Sequence, residues 1–277
     1  RARGASAPAQ RARPPPHPMQ APLPLLPLLW AMAVVAAAGV VRGFAGFGFS
    51  AVTVAGLSLV VSPVEIVPVA FVLEVLASVH QVPGSWRDIH ARWLGWLVLG
   101  NALAIPLGLA LLGWLPETPL RLLIGTLLLL ATAVLRSGAT AHLEATRSVR
   151  LATGLASGLA NGVAAIGGIM VAVLLSATAL EPAAMRATLI ALFLFTDLYA
   201  LAWAAGLSWL ADAPNVLLGA ATAAWVLWML PPMLVGIAIG QRGFAGISPA
   251  SFRRRVLELL IVVSGSTIVH ALRVLAA

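Results

Sequence analysis

The sequence predicts an all-α fold: a polytopic membrane helix bundle of two homologous, inverted repeats, each opened by a glycine-broken pair of half-helices. Three observations lead there. Hydrophobic residues make up 61% of the 277 and charged residues 9%, against roughly 25% charged in ordinary soluble domains, so a water-facing surface cannot be built. Apolar runs at 28–61, 64–82, 93–113, 118–135, 151–179, 184–210, 215–240 and 256–275 follow one another, most of them separated by loops of a few residues. The first and fifth runs, and only those, carry dense glycine clusters in their middles.

Charge narrows the function classes. All 17 basic residues are arginine, and they outweigh nine acidic residues to give a net charge of +8. An isoelectric point near 11.7 suggests nucleic acid at first sight. The arginines, however, sit in short loops between apolar runs, where orientation in a bilayer already requires them, so no nucleic-acid partner is expected. Absence of cysteine excludes disulfides, thiol nucleophiles, Cys-ligated zinc and iron–sulfur clusters. His80, His90 and His270 are too scattered for a metal site, and no cofactor is expected.

Taken in order, residues 1–22 mix Arg1, Arg3, Arg11 and Arg13 with six prolines and no apolar period, which predicts disorder. Met19 is the first methionine, so an extended gene start is one reading of residues 1–18. The basic segment followed by Leu25 to Ala38 also resembles a signal peptide, a reading weakened by the repeat that begins inside it. Repeat one is placed at 23–136, a connecting polar loop at 137–149, and repeat two at 150–277. Gly39-Val-Val-Arg-Gly43-Phe-Ala aligns with Gly154-Leu-Ala-Ser-Gly158-Leu-Ala, and each is followed by a proline-bounded turn, Ser62-Pro63 or Glu181-Pro182. Pro106-Leu-Gly108 parallels Pro232 to Gly236 further on.

The outer glycine pairs, Gly39/Gly43, Gly154/Gly158 and Gly236/Gly240, are small-xxx-small patterns expected to pack helices closely. The inner clusters are denser than packing needs. As one helix, residues 28–61 would extend about 50 Å against a hydrocarbon core of about 30 Å, while two full spans would need about 40 residues. A re-entrant hairpin of two half-helices fits, leaving three crossings per half. With the amino end outside, that arrangement puts Arg87, Arg92, Arg136, Arg147, Arg150, Arg186, Arg242 and Arg253 to Arg255 inside, and Arg121 and Arg273 outside. An odd number of crossings makes the repeats inverted.

Gly43-Phe-Ala-Gly46-Phe-Gly48-Phe, Gly158-Leu-Ala-Asn161-Gly162 through Gly167-Gly168, Arg186-Ala-Thr188 and Asp197-Leu198 carry a resemblance to the sulfite exporter TauE/SafE family of permeases. The resemblance covers nearly everything from residue 28 onward. It implies export or uptake of small anions, commonly sulfite and organosulfonates. Gly48-Phe49-Ser50 departs from the successive glycines that many members carry at that place, which marks a divergent branch.

If both clusters are hairpin tips, the second half-helices begin near Phe49 and Gly168 and point unpaired N–H groups and positive dipole ends at the midplane, as an anion site requires. Candidate substrate-binding residues are therefore Arg42, Gly43, Gly46, Gly48, Asn161, Gly162, Gly167 and Gly168. Glycine lets a ligand approach the backbone, and Arg42 offers a bidentate contact to an oxyanion, or else is neutralised within the bundle. Glu74 and Asp197 lie inside apolar runs, where a charge costs at least ~2.5 kcal/mol, so they need partners or protons. They are candidates for coupling carboxylates, the alternative being neutralisation by Arg42 or capping at the tips. Asn101 and Asn161 read as interhelical hydrogen-bonding groups.

The expected function is a secondary transporter of small anions, working by alternating access in a bacterial inner membrane. Its expected partners are the lipid bilayer, the anion and a coupling proton. A channel or a membrane anchor subunit is the alternative. An intramembrane enzyme is disfavoured because no His-Glu-x-x-His occurs and Ser157 has no His or Lys in a plausible partner helix.

Overall fold

The computed structural model describes residues 23–137, 146–176, 178, 180–210, 218–243, 258, 260–262, 264–269 and 271–273. Residues 1–22, loop residues 138–145, Arg253 to Arg255 and His270 lie outside the described residues, with the expectations attached to them. Among the described residues, helices occupy Leu25–Ala45 (α1), Phe49–Leu57 (α2), Pro63–Gln81 (α3), Ala91–Trp114 (α4), Glu117–Ser137 (α5), Arg147–Ala164 (α6), Gly167–Ser176 (α7), Pro182–Leu210 (α8) and Ala220–Gly243 (α9). Two single 3-10 turns, Val82–Gly84 and Trp86–Asp88, link α3 to α4, and a shorter apolar helix lies at Leu260–Arg273. Six of the described helices are long and apolar enough to cross a membrane.

The first apolar run holds two helices of unequal length. α1 has 21 residues and α2 nine, so α1 alone reaches about 31 Å, the thickness of a hydrocarbon core. The sequence predicts a hairpin of two half-helices. The difference arises because α1 opens at Leu25, before the apolar run begins, with Pro27 in its first turn where a missing N–H costs nothing. Gly46 (φ 79°) and Gly48 (φ 89°) take the left-handed turn between the helices. α2 then returns along α1: Gly48 sits beside Val41, Gly56 packs against Val34, and Trp30 Nε1 donates to Gly56 O at 3.2 Å.

In the corresponding second run the left-handed residue is Ala165 (φ 57°), between α6 and α7. The helix start also differs from the expected 137–149 loop. α5 continues to Ser137 and α6 opens at Arg147, because Thr146 caps it by accepting from Val149 N at 3.3 Å.

Two glycine seams join distant parts of the chain. A Cβ on Gly39 would stand 3.1 Å from the Cα of Gly236, and one on Gly240 would stand 3.0 Å from Phe44 N, so α1 and α9 run parallel in near-backbone contact. On the other side, Gly154 meets Gly100 and Gly162 meets Gly108, at 3.0 and 2.8 Å from an ideal Cβ to the facing Cα. α4 and α6 therefore also run parallel. Small residues permit this approach, and dispersion over the extended contact holds it where no hydrophobic effect operates between helices. α3 and α8 pass between the two seams and carry the buried carboxylates Glu74 and Asp197.

Candidate functional site

α3 presents Glu74, Ser78 and Gln81 at positions i, i+4 and i+7, one buried polar stripe on a mostly apolar helix. Arg42, in the last turn of α1, faces that stripe and is 0% exposed. Its Nε donates to Gln81 Oε1 at 3.0 Å, its Nη2 to Ser78 Oγ at 2.7 Å, and its Nη1 lies 2.9 Å from Glu74 Oε2. The guanidinium also stacks over the Phe193 ring of α8, 4.6 Å from its centre. A buried ion costs several kcal/mol unless it is both paired and hydrogen-bonded, and here it is both.

Glu74 is 1% exposed, and its Oε1 accepts from the backbone N–H of Ser50 at 3.2 Å and from Ser50 Oγ at 2.5 Å. Ser50 belongs to the first turn of α2, so the carboxylate rests on the amino end of that helix, where free N–H groups and the dipole favour negative charge.

The second half supplies a different arrangement. Asp197 of α8, 1% exposed, accepts from Asn161 Nδ2 at 2.8 Å through Oδ1, while Oδ2 has no hydrogen-bond partner. Ser157 Oγ lies 3.2 Å from Asn101 Oδ1 and 3.0 Å from Gly167 O, so its proton ties α6 both to α4 and to the start of α7. Arg186, in the second turn of α8, donates from Nη2 to Gly43 O at 2.8 Å, satisfying a carbonyl at the carboxyl end of α1.

The starts of α2 and α7 meet at a small cavity of about 10 Å³, room for roughly one water, lined by Gly48 and Ser50 from one side and Gly168 and Ile169 from the other, with Glu74 and Phe193 in its wall. Of the glycines singled out in the sequence, Gly48 and Gly168 reach this cavity. Gly43 and Gly162 lie in the two helix seams, Gly46 packs on the stem of Arg186, and Gly167 packs on Ser157. Arg42 is held by α3, with all three guanidinium nitrogens facing protein groups, and Asn161 holds Asp197. Sequence reasoning missed Ser78 and Gln81, which the i, i+4, i+7 stripe below Glu74 could have revealed. It also missed Ser50 as a donor, and Phe193, for which the sequence carries no signal.

The family model of the sulfite exporter TauE/SafE matches residues 31–267. The chain belongs to the TauE/SafE family. It is therefore a multi-pass membrane protein of a transporter family, with a lipid bilayer as its surroundings and a small molecule as its substrate. No curated protein and no solved structure matches the chain.

Proposed function

We propose that this TauE/SafE protein is a secondary transporter of small anions, of sulfite or organosulfonate chemistry, working by alternating access in a bacterial inner membrane. The observation that carries the reading is the cavity at which α2 and α7 both begin. Two amino ends of helices converge there, and backbone can approach a ligand at Gly48 and Gly168.

Helix directions support inverted repeats of residues 23–136 and 150–277. α2 returns beside α1, and α3 then runs with α1, since Arg42 near the end of one meets Gln81 at the end of the other. The short connection after Gln81 reverses the chain into α4, and α6 is parallel to α4. The opening helices α1 and α6 thus point oppositely. Each packs on the fourth helix of the other half, α1 on α9 and α6 on α4. Such an exchange is what two inverted copies around a shared midplane site produce. The two carboxylates beside the site, Glu74 and Asp197, are where a coupling proton would reside.

The test is flux in liposomes containing the purified protein, with sulfite, thiosulfate, sulfoacetate, taurine and simple carboxylates supplied in turn. Saturable uptake of at least one sulfur oxyanion, accelerated by a pH gradient, is expected. Flux that rises linearly with concentration would indicate a channel, and none with any anion would remove the transporter reading.

A further inference from the structure

We infer that Glu74 is a tethered anion that occupies the donors of the substrate site and must take up a proton before an external anion can replace it. The inference rests on the anion-site reading above and deepens it. An oxyanion arriving at the start of α2 would seek the Ser50 N–H, the Ser50 hydroxyl and, beyond them, the Arg42 guanidinium. Those are the groups that Glu74 already holds: Oε1 takes both Ser50 donors at 3.2 and 2.5 Å, and Oε2 faces Arg42 Nη1 at 2.9 Å. The carboxylate is a wall of the same cavity, not a remote partner. A buried salt bridge meant only to neutralise Arg42 would not need to reach a helix end as well. Arg42 has two further neutral acceptors in Ser78 and Gln81, so it remains hydrogen-bonded when Glu74 leaves.

An anion and an ionised Glu74 cannot share these donors, because two like charges in contact at low dielectric repel strongly. Protonation resolves the conflict. The carboxylate accepts one proton from water, becomes a neutral acid, loses its hold on Ser50 and Arg42, and frees them for the incoming anion. One proton then accompanies each anion, and release of the anion lets Glu74 ionise and return. The other charges near Glu74 set the balance. Asp197 of α8 lies within electrostatic reach of both Glu74 and Arg42, and Arg186, also of α8, within reach of Arg42. Arg121 of α5 is engaged by Glu117 and Val61 O, Arg150 of α6 lies over Trp93, and Arg242 of α9 is exposed.

The two halves differ here. At the start of α7 no acidic side chain takes the place that Glu74 holds on α2, since Asp197 is held by Asn161 instead. Among the described residues Glu74 is thus the acidic side chain that bonds a helix start at the cavity, while the start of α7 at Gly168 lies against the Phe193 ring.

The experiment is anion binding to the purified full chain in detergent, with sulfite, thiosulfate and methanesulfonate as probes, near pH 6 and near pH 8, for native protein and Glu74→Gln. Each variant-to-native ratio is taken at one pH, so titration of the probe itself cancels. Native affinity should fall as pH rises, by up to about tenfold per pH unit where Glu74 ionises, and Glu74→Gln should bind more tightly than native at the higher pH and lose that slope. Unchanged or weaker binding by Glu74→Gln at both pH values, with native binding intact, overturns the gate and leaves the anion site standing. Binding of no probe by either protein overturns the site and the gate with it. Should Glu74→Gln not fold, the native chain decides: thiosulfate binding near pH 7, followed by calorimetry in buffers of different ionisation heat, should take up about one proton per anion. Zero uptake removes the proposal.

Discussion

At the residue scale, the two buried carboxylates are alike in burial and unlike in company. Glu74 has Arg42 and two Ser50 donors, whereas Asp197 accepts from the Asn161 amide. Asp197 accepts from a neutral amide, so replacing it by Asn removes the charge while keeping an acceptor for Asn161. Asp197→Asn keeps shape and an acceptor for Asn161, and should shift stability by no more than about 1 kcal/mol, read as thermal unfolding in detergent. Its effect should appear in flux, which loses part of its dependence on the pH gradient. A loss of about 3–5 kcal/mol with coupling intact would instead mean that Asp197 is ionised and paired. Gly168 gives a second residue-scale outcome. A side chain there would run into the Phe193 ring across the cavity wall, so Gly168→Leu should abolish anion flux while membrane insertion survives, because leucine is more apolar than glycine. Wild-type flux in that variant would place the site elsewhere.

At the scale of elements, the turn between α6 and α7 depends on Ala165 in a left-handed conformation that costs an L-residue roughly 1–2 kcal/mol. Ala165→Gly removes that strain and adds the backbone entropy of glycine, about 0.5–1 kcal/mol, so a small net stabilisation is expected in thermal unfolding. Clear destabilisation would mean that the Ala165 methyl group, which borders the cavity, contributes more by packing than its backbone loses. The glycines of the first tip were legible in the sequence because a dense cluster inside an apolar run has few other uses. Their individual roles were not. Gly43, expected both to pack with Gly39 and to line the site, lies in the seam, and Gly162 continues the Gly154/Gly158 seam by one more turn, which spacing alone cannot tell from a place in the tip. Gly100 and Gly108 went unrecognised as seam residues because their partners, Gly154 and Gly162, lie in the other half, and pairing at that distance is a tertiary fact. The start of α1 escaped for a local reason: Pro27 reads as a boundary in a hydropathy profile but is harmless in a first helical turn.

At the scale of the whole molecule, the proposed inverted topology draws on two independent kinds of observation that share no residues. One is charge: Arg87, Arg92, Arg136, Arg147, Arg150 and Arg242 fall near connections that orientation rules place in the cytoplasm. The other is register: the Gly39–Gly236 and Gly100–Gly154 contacts make α9 run with α1 and α6 with α4. If α1 points inward, α4 points outward and α6 with it, which leaves the 82–90 connection, the start of α6 and the end of α9 on one face. Those are the arginine-bearing connections, so the packing reproduces the orientation that charge requires. Arg253, the third marker of that face in the sequence, lies outside the described residues. A chain without cysteine allows the arrangement to be read directly. Ser85→Cys, Ser148→Cys and Gln241→Cys leave every arginine in place and should be labelled only from the cytoplasmic side by a membrane-impermeant maleimide. Glu117→Cys and Gly219→Cys, at the α4–α5 and α8–α9 connections, should be labelled only from the opposite side. Labelling of positions 148 and 241 from different sides would break the parallel pairing of α4 with α6 or of α1 with α9. The inverted halves, and the shared site between their hairpins, would fall with it.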